Sequence, residues 1–209
     1  MNALLFINGT PPKNFPNLEG YDFVAATDGA LHYLKDKNFP LEKLDLVSGD
    51  FDSHQHDEEM LALALEKNIE VIITPDQDYT DFQKALEILK KRGVKKVDVY
   101  GGSGGEQDHF LGNLHVAFVF KNDLEITFFD EYSRYFFIKN NFEIKNVKGK
   151  MISLLPFPKV ENITTNGLNW ELDRNDLEIT KRIGTRNFAK ENTLEIFYEK
   201  GDLLIFIGH

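Results

Sequence analysis

The sequence predicts an α/β protein: a mainly parallel, twisted sheet with helices in the N-terminal part, then an antiparallel β-sandwich in the C-terminal part. Three observations carry this prediction. From Asn2 to about Asp130, short apolar runs alternate with stretches of helical spacing, the order of a parallel sheet covered on both faces. Beyond Asp130 the helical spacing gives way to short apolar or alternating runs separated by turn-like residues, which suits antiparallel strands. Hydrophobic residues make up 42% of the 209, enough to bury a substantial core. The expected domains are therefore 1–130 and 131–209, with no flexible linker, internal repeat or low-complexity segment between them.

Taken in order, the apolar runs of the first part are 3–7, 21–26, 44–47, 69–73, 97–100 and 124–129, each read as a strand. Leu61, Ala64 and Leu65 mark one helix between them. Phe82, Ala85, Leu86 and Leu89 mark another, matching the i, i+3, i+4, i+7 template. The stretch 109–121 is apolar nearly all round, and is expected to be a buried helix. In the second part the runs are 134–139, 142–147, 151–155, 177–179, 193–198 and 203–207, with Leu194, Ile196 and Tyr198 alternating against Glu195 and Glu199. Asn140-Asn141, Lys148-Gly149-Lys150 and Glu199-Lys200-Gly201-Asp202 supply turns between runs.

Charge narrows the function classes. With 34 acidic against 24 basic residues the formal charge is −10, which opposes binding to nucleic acid or an anionic membrane. A phosphorylated ligand would need metal ions to bridge it to the carboxylates, whereas a cationic ligand would be welcome without help. There is no cysteine, hence neither a disulfide framework nor a thiolate nucleophile. The N-terminus lacks a basic leader and a cleavage site, and no apolar stretch is long enough to span a bilayer, so a cytoplasmic protein is expected.

The segment Ser48-Gly49-Asp50-Phe51-Asp52-Ser53 follows an apolar run. If the chain leaves the strand still extended, Asp50 and Asp52 point to one spot. Two carboxylates there suit Mg²⁺, which is held by one or two such groups together with substrate phosphates. The alternative is an acidic loop that caps the next helix. Other acids also stand where strands should end: Asp28 in Thr27-Asp28-Gly29-Ala30, and Asp76, Asp78 and Asp81 in Thr74-Pro75-Asp76-Gln77-Asp78-Tyr79-Thr80-Asp81. The glycine loop Gly101-Gly102-Ser103-Gly104-Gly105 runs on to Asp108-His109. Asp28 and Asp108 would serve equally as N-caps, and Asp78 with Asp81 as a capping box. Capping alone gives no reason for such acids to recur on one edge of the sheet. The glycine loop adds backbone N–H groups and a helix N-terminus, which suit phosphate oxygens. His54-Gln55-His56-Asp57 lacks an evident fourth ligand for zinc and reads as an exposed helix start.

These motifs together resemble the thiamin pyrophosphokinase family. The resemblance rests on Asp28-Gly29-Ala30, Gly49-Asp50-Phe51-Asp52-Ser53, the segment from Thr74 to Asp81, and the glycine loop with Asp108-His109. It continues in the second part with Gly167-Leu168-Asn169-Trp170 and Ile183-Gly184-Thr185-Arg186-Asn187, so it covers nearly the whole chain. It implies a Mg²⁺-dependent enzyme that moves the β,γ-pyrophosphoryl group of ATP to the hydroxyl of thiamin, giving thiamin diphosphate and AMP. It also implies a homodimer whose sites are shared between subunits. On this basis Asp50, Asp52, Asp81 and Asp108 are assigned to Mg²⁺ or its water shell, with Asp50, Asp52 and Asp81 as catalytic residues. Asp28, Gly29, Gln77, Thr80, Gly101, Gly102 and Asp108 are assigned to ATP. Asp52 or Asp81 would take the hydroxyl proton. One departure is Glu106, where the family often has Arg.

Trp170, the only tryptophan, offers an aromatic platform for a planar or cationic heterocycle, and Thr185 and Asn187 are placed to hydrogen-bond an aminopyrimidine. The alternative for Trp170 is a sandwich core residue. Two rival functions stand beside the kinase. One is a Mg²⁺-dependent phosphatase with Asp50 as nucleophile and Asp52 as general acid. The other is a non-catalytic nucleotide or thiamin binder.

Overall fold

The first apolar run becomes strand β1 (Asn2–Phe6), buried from its second residue onward. In the computed structural model, which describes residues 1–51 and 57–209, the chain continues through β2 (Phe23–Thr27), α1 (Asp28–Asp36), β3 (Leu46–Gly49), α2 (Asp57–Glu66) and β4 (Glu70–Ile73). Then come α3 (Asp81–Lys91), β5 (Lys96–Tyr100), α4 (Gln107–Phe120) and β6 (Glu125–Phe129). The chain divides into two compact units, Met1–Glu131 and Tyr132–His209.

In the first unit the strands lie in the order β4-β3-β2-β1-β5-β6, and every pair is parallel. Winding proceeds one way from β1 to β4 and the other way from β5 to β6. The switch point is therefore between β1 and β5, and the crevice outside their carboxyl ends is where such sheets take ligands. One face of the sheet is closed by a core that includes Leu4, Phe6, Ala26, Leu31, Leu34 and Val47.

Two helices differ from expectation. Spacing did not single out α1, whose buried Ala30, Leu31 and Leu34 make too short a stripe to stand out over nine residues. Its N-cap is Thr27, so Asp28 lies in the first turn and does not cap it. Helix α4 is apolar nearly all round but is not wholly buried: Leu114, Val116, Ala117 and Phe120 pack inward, while Leu111 and Val119 are exposed. A helix laid on a sheet offers only one stripe to it, whatever the composition of its outer face. Among the described residues no helix is long and apolar enough to cross a membrane.

The second unit is antiparallel: β7 (Ser133–Ile138), β8 (Asn141–Lys145), β9 (Met151–Asn166), β10 (Asn175–Glu178), β11 (Gly184–Phe188), β12 (Thr193–Phe197) and β13 (Lys200–Gly208). One layer runs β7-β13-β9, with β10 and β11 along the other edge of β9. The second layer is β8-β12, joined to the last residues of β9, from Thr164 to Asn166. Ile152, Leu154, Ile163, Leu194, Ile196 and Ile205 belong to the core they enclose.

The run expected over 151–155 thus extends to Asn166, and the strand β11 was not foreseen. Pro156 and Pro158 carry no amide hydrogen and break the apolar pattern. The pairing with β13 shifts register between Gly201 and Leu203, opposite them, so a bulge absorbs the prolines within a continuous strand.

Candidate active site

The carboxyl edge of the first sheet gathers acids around one contact that only glycine permits. A Cβ on Gly49, the last residue of β3, would lie 2.1 Å from Asp28 Cγ, so the two strand ends meet backbone against carboxylate. Asp28 is buried, and its Oδ1 accepts the N–H of Gly29 at 2.7 Å while Oδ2 accepts that of Phe51 at 2.9 Å. Burial pushes the Asp28 carboxyl above its ordinary range, and the charges of Asp81 and Asp50 add to the rise, against the two backbone N–H groups. The three carboxylates therefore share one electrostatic neighbourhood.

The chain does not continue extended past Asp50. Phe51 has φ of 56°, a left-handed conformation that is unusual for a bulky residue, and its N–H is held by Asp28. The alternation expected to align Asp50 with Asp52 is broken at that residue. Asp52, like Ser53, His54, Gln55 and His56, lies outside the described residues. Asp50 itself is fixed by Gln77, whose Nε2 donates to its Oδ2 at 2.7 Å.

Gln77 reaches Asp50 from the loop after β4, and that loop is organised by a residue that the sequence did not bring forward. Lys84 Nζ donates to the carbonyls of Thr74 (2.8 Å) and Asp76 (3.0 Å) and faces Asp81 Oδ1 at 2.9 Å. Its side chain is only 10% exposed, so the ammonium acts as an internal tie. The signal was present as a lysine three residues after Asp81 on a predicted helix. Asp78 and Asp81 do not form the capping box that was the alternative to a functional role for them. Thr80 caps α3, its Oγ1 accepting from Gln83 N–H at 3.2 Å, while Asp78 N–H is bound by Asp76 Oδ1 at 2.8 Å.

At the switch point the glycine loop is interlocked with Asn8-Gly9-Thr10, the segment leaving β1. A Cβ on Gly101 would lie 2.0 Å from Ile7 O, and one on Gly9 2.2 Å from Gly101 O. Thr10 N–H donates to Ser103 O at 2.9 Å, and Asn113 Nδ2 to Gly102 O at 3.0 Å. A Cβ on Gly29 would in turn meet the Asn8 side chain at 2.7 Å, so Asn8 connects this loop to the acids. Asn8 and Gly9 were missed, although an Asn-Gly pair at a strand end on the ligand edge was the clue. Asp108 is exposed in the first turn of α4, its Oδ1 accepting from His109 N–H at 3.0 Å. Glu106 occupies the N-cap of that helix and stands 3.6 Å from His109 Nε2.

The donor chemistry of this edge fits a hard divalent cation: Asp28, Asp50 and Asp81 share a neighbourhood, and the buried hydroxyls of Thr27, at the end of β2, and Thr74, after β4, have no hydrogen-bond partner among the described residues. Asp50 and Asp81 are turned to Gln77 and Lys84, and among the described residues no three such groups close around a single ion.

In the second unit Trp170 is 65% exposed, which removes it from the sandwich core. Asn187 holds the backbone beneath it: Nδ2 donates to Trp170 O at 2.8 Å, and Oδ1 accepts Trp170 N–H at 3.3 Å and Phe188 N–H at 2.8 Å. Thr185 and Arg186 lie where the β11–β9 register shifts. Arg186 has φ of 56° with its N–H on Ser153 Oγ at 2.9 Å, and Thr185 is exposed.

Comparison with known proteins bears on both units. Residues 17–128 match the family model described as thiamin pyrophosphokinase, catalytic domain. Residues 139–202 match the one described as thiamin pyrophosphokinase, vitamin B1 binding domain. Thiamin pyrophosphokinase 1 of Caenorhabditis elegans is 28% identical, over 98% of this chain and 88% of that protein. Thiamine pyrophosphokinase of Bacillus subtilis is 25% identical, over 91% and 95%. In fold, the crystal structure of a thiamin pyrophosphokinase family protein from Enterococcus faecalis superposes with a TM-score of 0.84 at 23% identity, covering 100% of this chain and 99% of that one.

Proposed function

The chain belongs to the thiamin pyrophosphokinase family, and on that premise we propose that it transfers the β,γ-pyrophosphoryl group of ATP to the hydroxyl of thiamin, releasing AMP. The observation that carries this reading is the placement of Asp28 against Gly49 at the end of β3, of Asp50 on Gln77 and of Asp81 on Lys84, all at the carboxyl edge of a sheet matched by the catalytic-domain model.

Transfer of this kind needs in-line placement and neutralised charge more than covalent help. The thiamin hydroxyl oxygen forms the new bond to the β-phosphorus, the bond from that phosphorus to the α,β-bridging oxygen breaks, and AMP leaves with that oxygen. We assign Asp50, Asp52, Asp81 and Asp108 to holding Mg²⁺ or its water shell, and the ion when bound supplies neutralisation of the polyphosphate charge. Gln77 fixes the Asp50 carboxylate, and Lys84 fixes Asp81 together with the loop that carries Gln77 and Thr80. Asp52 or Asp81 accepts the hydroxyl proton. Asp28 and Gly29 position ATP, and Gly101 and Gly102 present backbone to its phosphates.

On the acceptor side Trp170 offers its face to the thiamin rings, and Thr185 and Asn187 offer polar groups to the aminopyrimidine. With Asn187 engaged by the backbone of Trp170, the hydroxyl of Thr185 is the more available of the two. The reading also carries a homodimer with sites shared between subunits and a cytoplasmic setting. The test is direct: ATP, Mg²⁺ and thiamin are incubated with the protein, and AMP and thiamin diphosphate are measured. Equal amounts of both are expected, and inorganic phosphate without thiamin diphosphate would point to the phosphatase instead.

A further inference from the structure

Beside the exposed Trp170 stands a carboxylate that the chemistry above does not use. Glu171 Oε1 accepts the N–H groups of Gly167 (2.9 Å) and Leu168 (3.1 Å) and faces Lys190 Nζ at 3.2 Å. Its Oε2 accepts the hydroxyl of Thr165 at 2.9 Å. That same hydroxyl oxygen accepts the N–H of Leu172, also at 2.9 Å. A surface acid on an acidic protein is ordinarily solvated; one that collects two backbone amides, a buried hydroxyl and an ammonium is holding a turn in shape.

The turn is fixed from its other sides as well. Gly167 has φ of 104°, and a Cβ there would lie 2.3 Å from Thr193 O. Lys190 N–H donates to Gly167 O at 2.8 Å, and Asn169 N–H to Phe188 O at 2.9 Å. With Asn187 on the backbone of Trp170, the residues before and after the indole are immobilised while the ring stays open to solvent. An aromatic face ordered in advance gives up less freedom when a ligand stacks on it.

We infer that Glu171 is a positioning residue that sets the Trp170 indole for stacking against the acceptor heterocycle, an inference that rests on the assignment of Trp170 to thiamin. Because Trp170 is the only tryptophan, its emission reports this turn alone. In Glu171→Ala the fluorescence anisotropy without substrates should fall. The KM for thiamin should rise roughly tenfold, with the KM for ATP and kcat within about twofold of the parent. Glu171→Gln should recover most of the loss, since its amide accepts from the Gly167 and Leu168 N–H groups and donates to Thr165 Oγ1. If Glu171→Ala does not fold, Glu171→Asp, shorter by one methylene, should move the same quantities in the same direction. Anisotropy and thiamin KM both equal to the parent's would overturn the inference, as would a fall in anisotropy with no change in thiamin KM. Trp170→Ala separates the two levels. If it leaves thiamin KM unchanged, the thiamin assignment fails and the inference with it. If it raises KM while the Glu171 variants do not, the inference alone fails.

Discussion

Gly49 lacks a side chain because of Asp28 and not because of its own backbone, for its carbon lies where any Cβ would enter the carboxylate. Gly49→Ala should therefore lower stability by about 1–3 kcal/mol and depress turnover, read by denaturant unfolding and by AMP release. Glycine-to-alanine changes in strands often stabilise, so the sign is diagnostic. Asp52 is assigned to the metal, and Asp52→Asn should reduce kcat by at least about a hundredfold at saturating Mg²⁺ while the circular dichroism spectrum is unchanged. Retention of most of the activity would remove Asp52 from the site. Glu106 places a negative charge at the N-cap of α4, beside the loop assigned to phosphate. Glu106→Arg should lower the KM for ATP or leave it unaltered; a marked rise would give the acid a positive role, such as metal ligation.

Among the elements, the loop from Thr74 to Asp81 depends on α3 through one ammonium. Lys84→Met would leave the Thr74 and Asp76 carbonyls and the Asp81 carboxylate without their tie. A loss of about 1–3 kcal/mol is expected, with a larger fall in kcat than the stability change explains, measured at a temperature where the variant is fully folded. The parallel strands were legible as short apolar runs: β1, β2 and β3 are buried along nearly their whole length, as a sheet covered on both faces requires, while β5 and β6 bury alternate residues and β4 is only partly covered. The strand-end acids were legible because the sheet edge they share follows from that topology. Lys84 was not, since a lysine on a helix reads as solvated until the loop folds back over it. Asn8 and Gly9 were hidden for a related reason: their role appears only when the segments after β1 and β5 are neighbours, which strand order decides and local pattern does not. Strand β9 escaped full reading because two prolines and a polar tail interrupt its alternation.

For the molecule as a whole, the proposed sharing of sites between subunits has a distinct signature. Asp52→Asn and Trp170→Ala, each poorly active alone, should complement when mixed under conditions that exchange subunits, because a mixed dimer would place both lesions in one site and neither in the other. Labelled subunits establish exchange; if exchange occurs and activity stays at the level of the separate variants, each site is contained in one chain. The second unit has its own whole-body property. Leu154 is buried in its core, and Leu154→Ala should cost about 2–5 kcal/mol, seen in the unfolding of Tyr132–His209. Strand β9 runs through both layers of that unit, pairing with β13 along one stretch and with β12 at its end. Neither layer can open without tearing a strand that the other also needs. Amide protons along β9, from Ile152 to Thr165, should then exchange with deuterium through a single common opening, so the two layers breathe as one body and leave no half-open form in which the Trp170 turn is released alone.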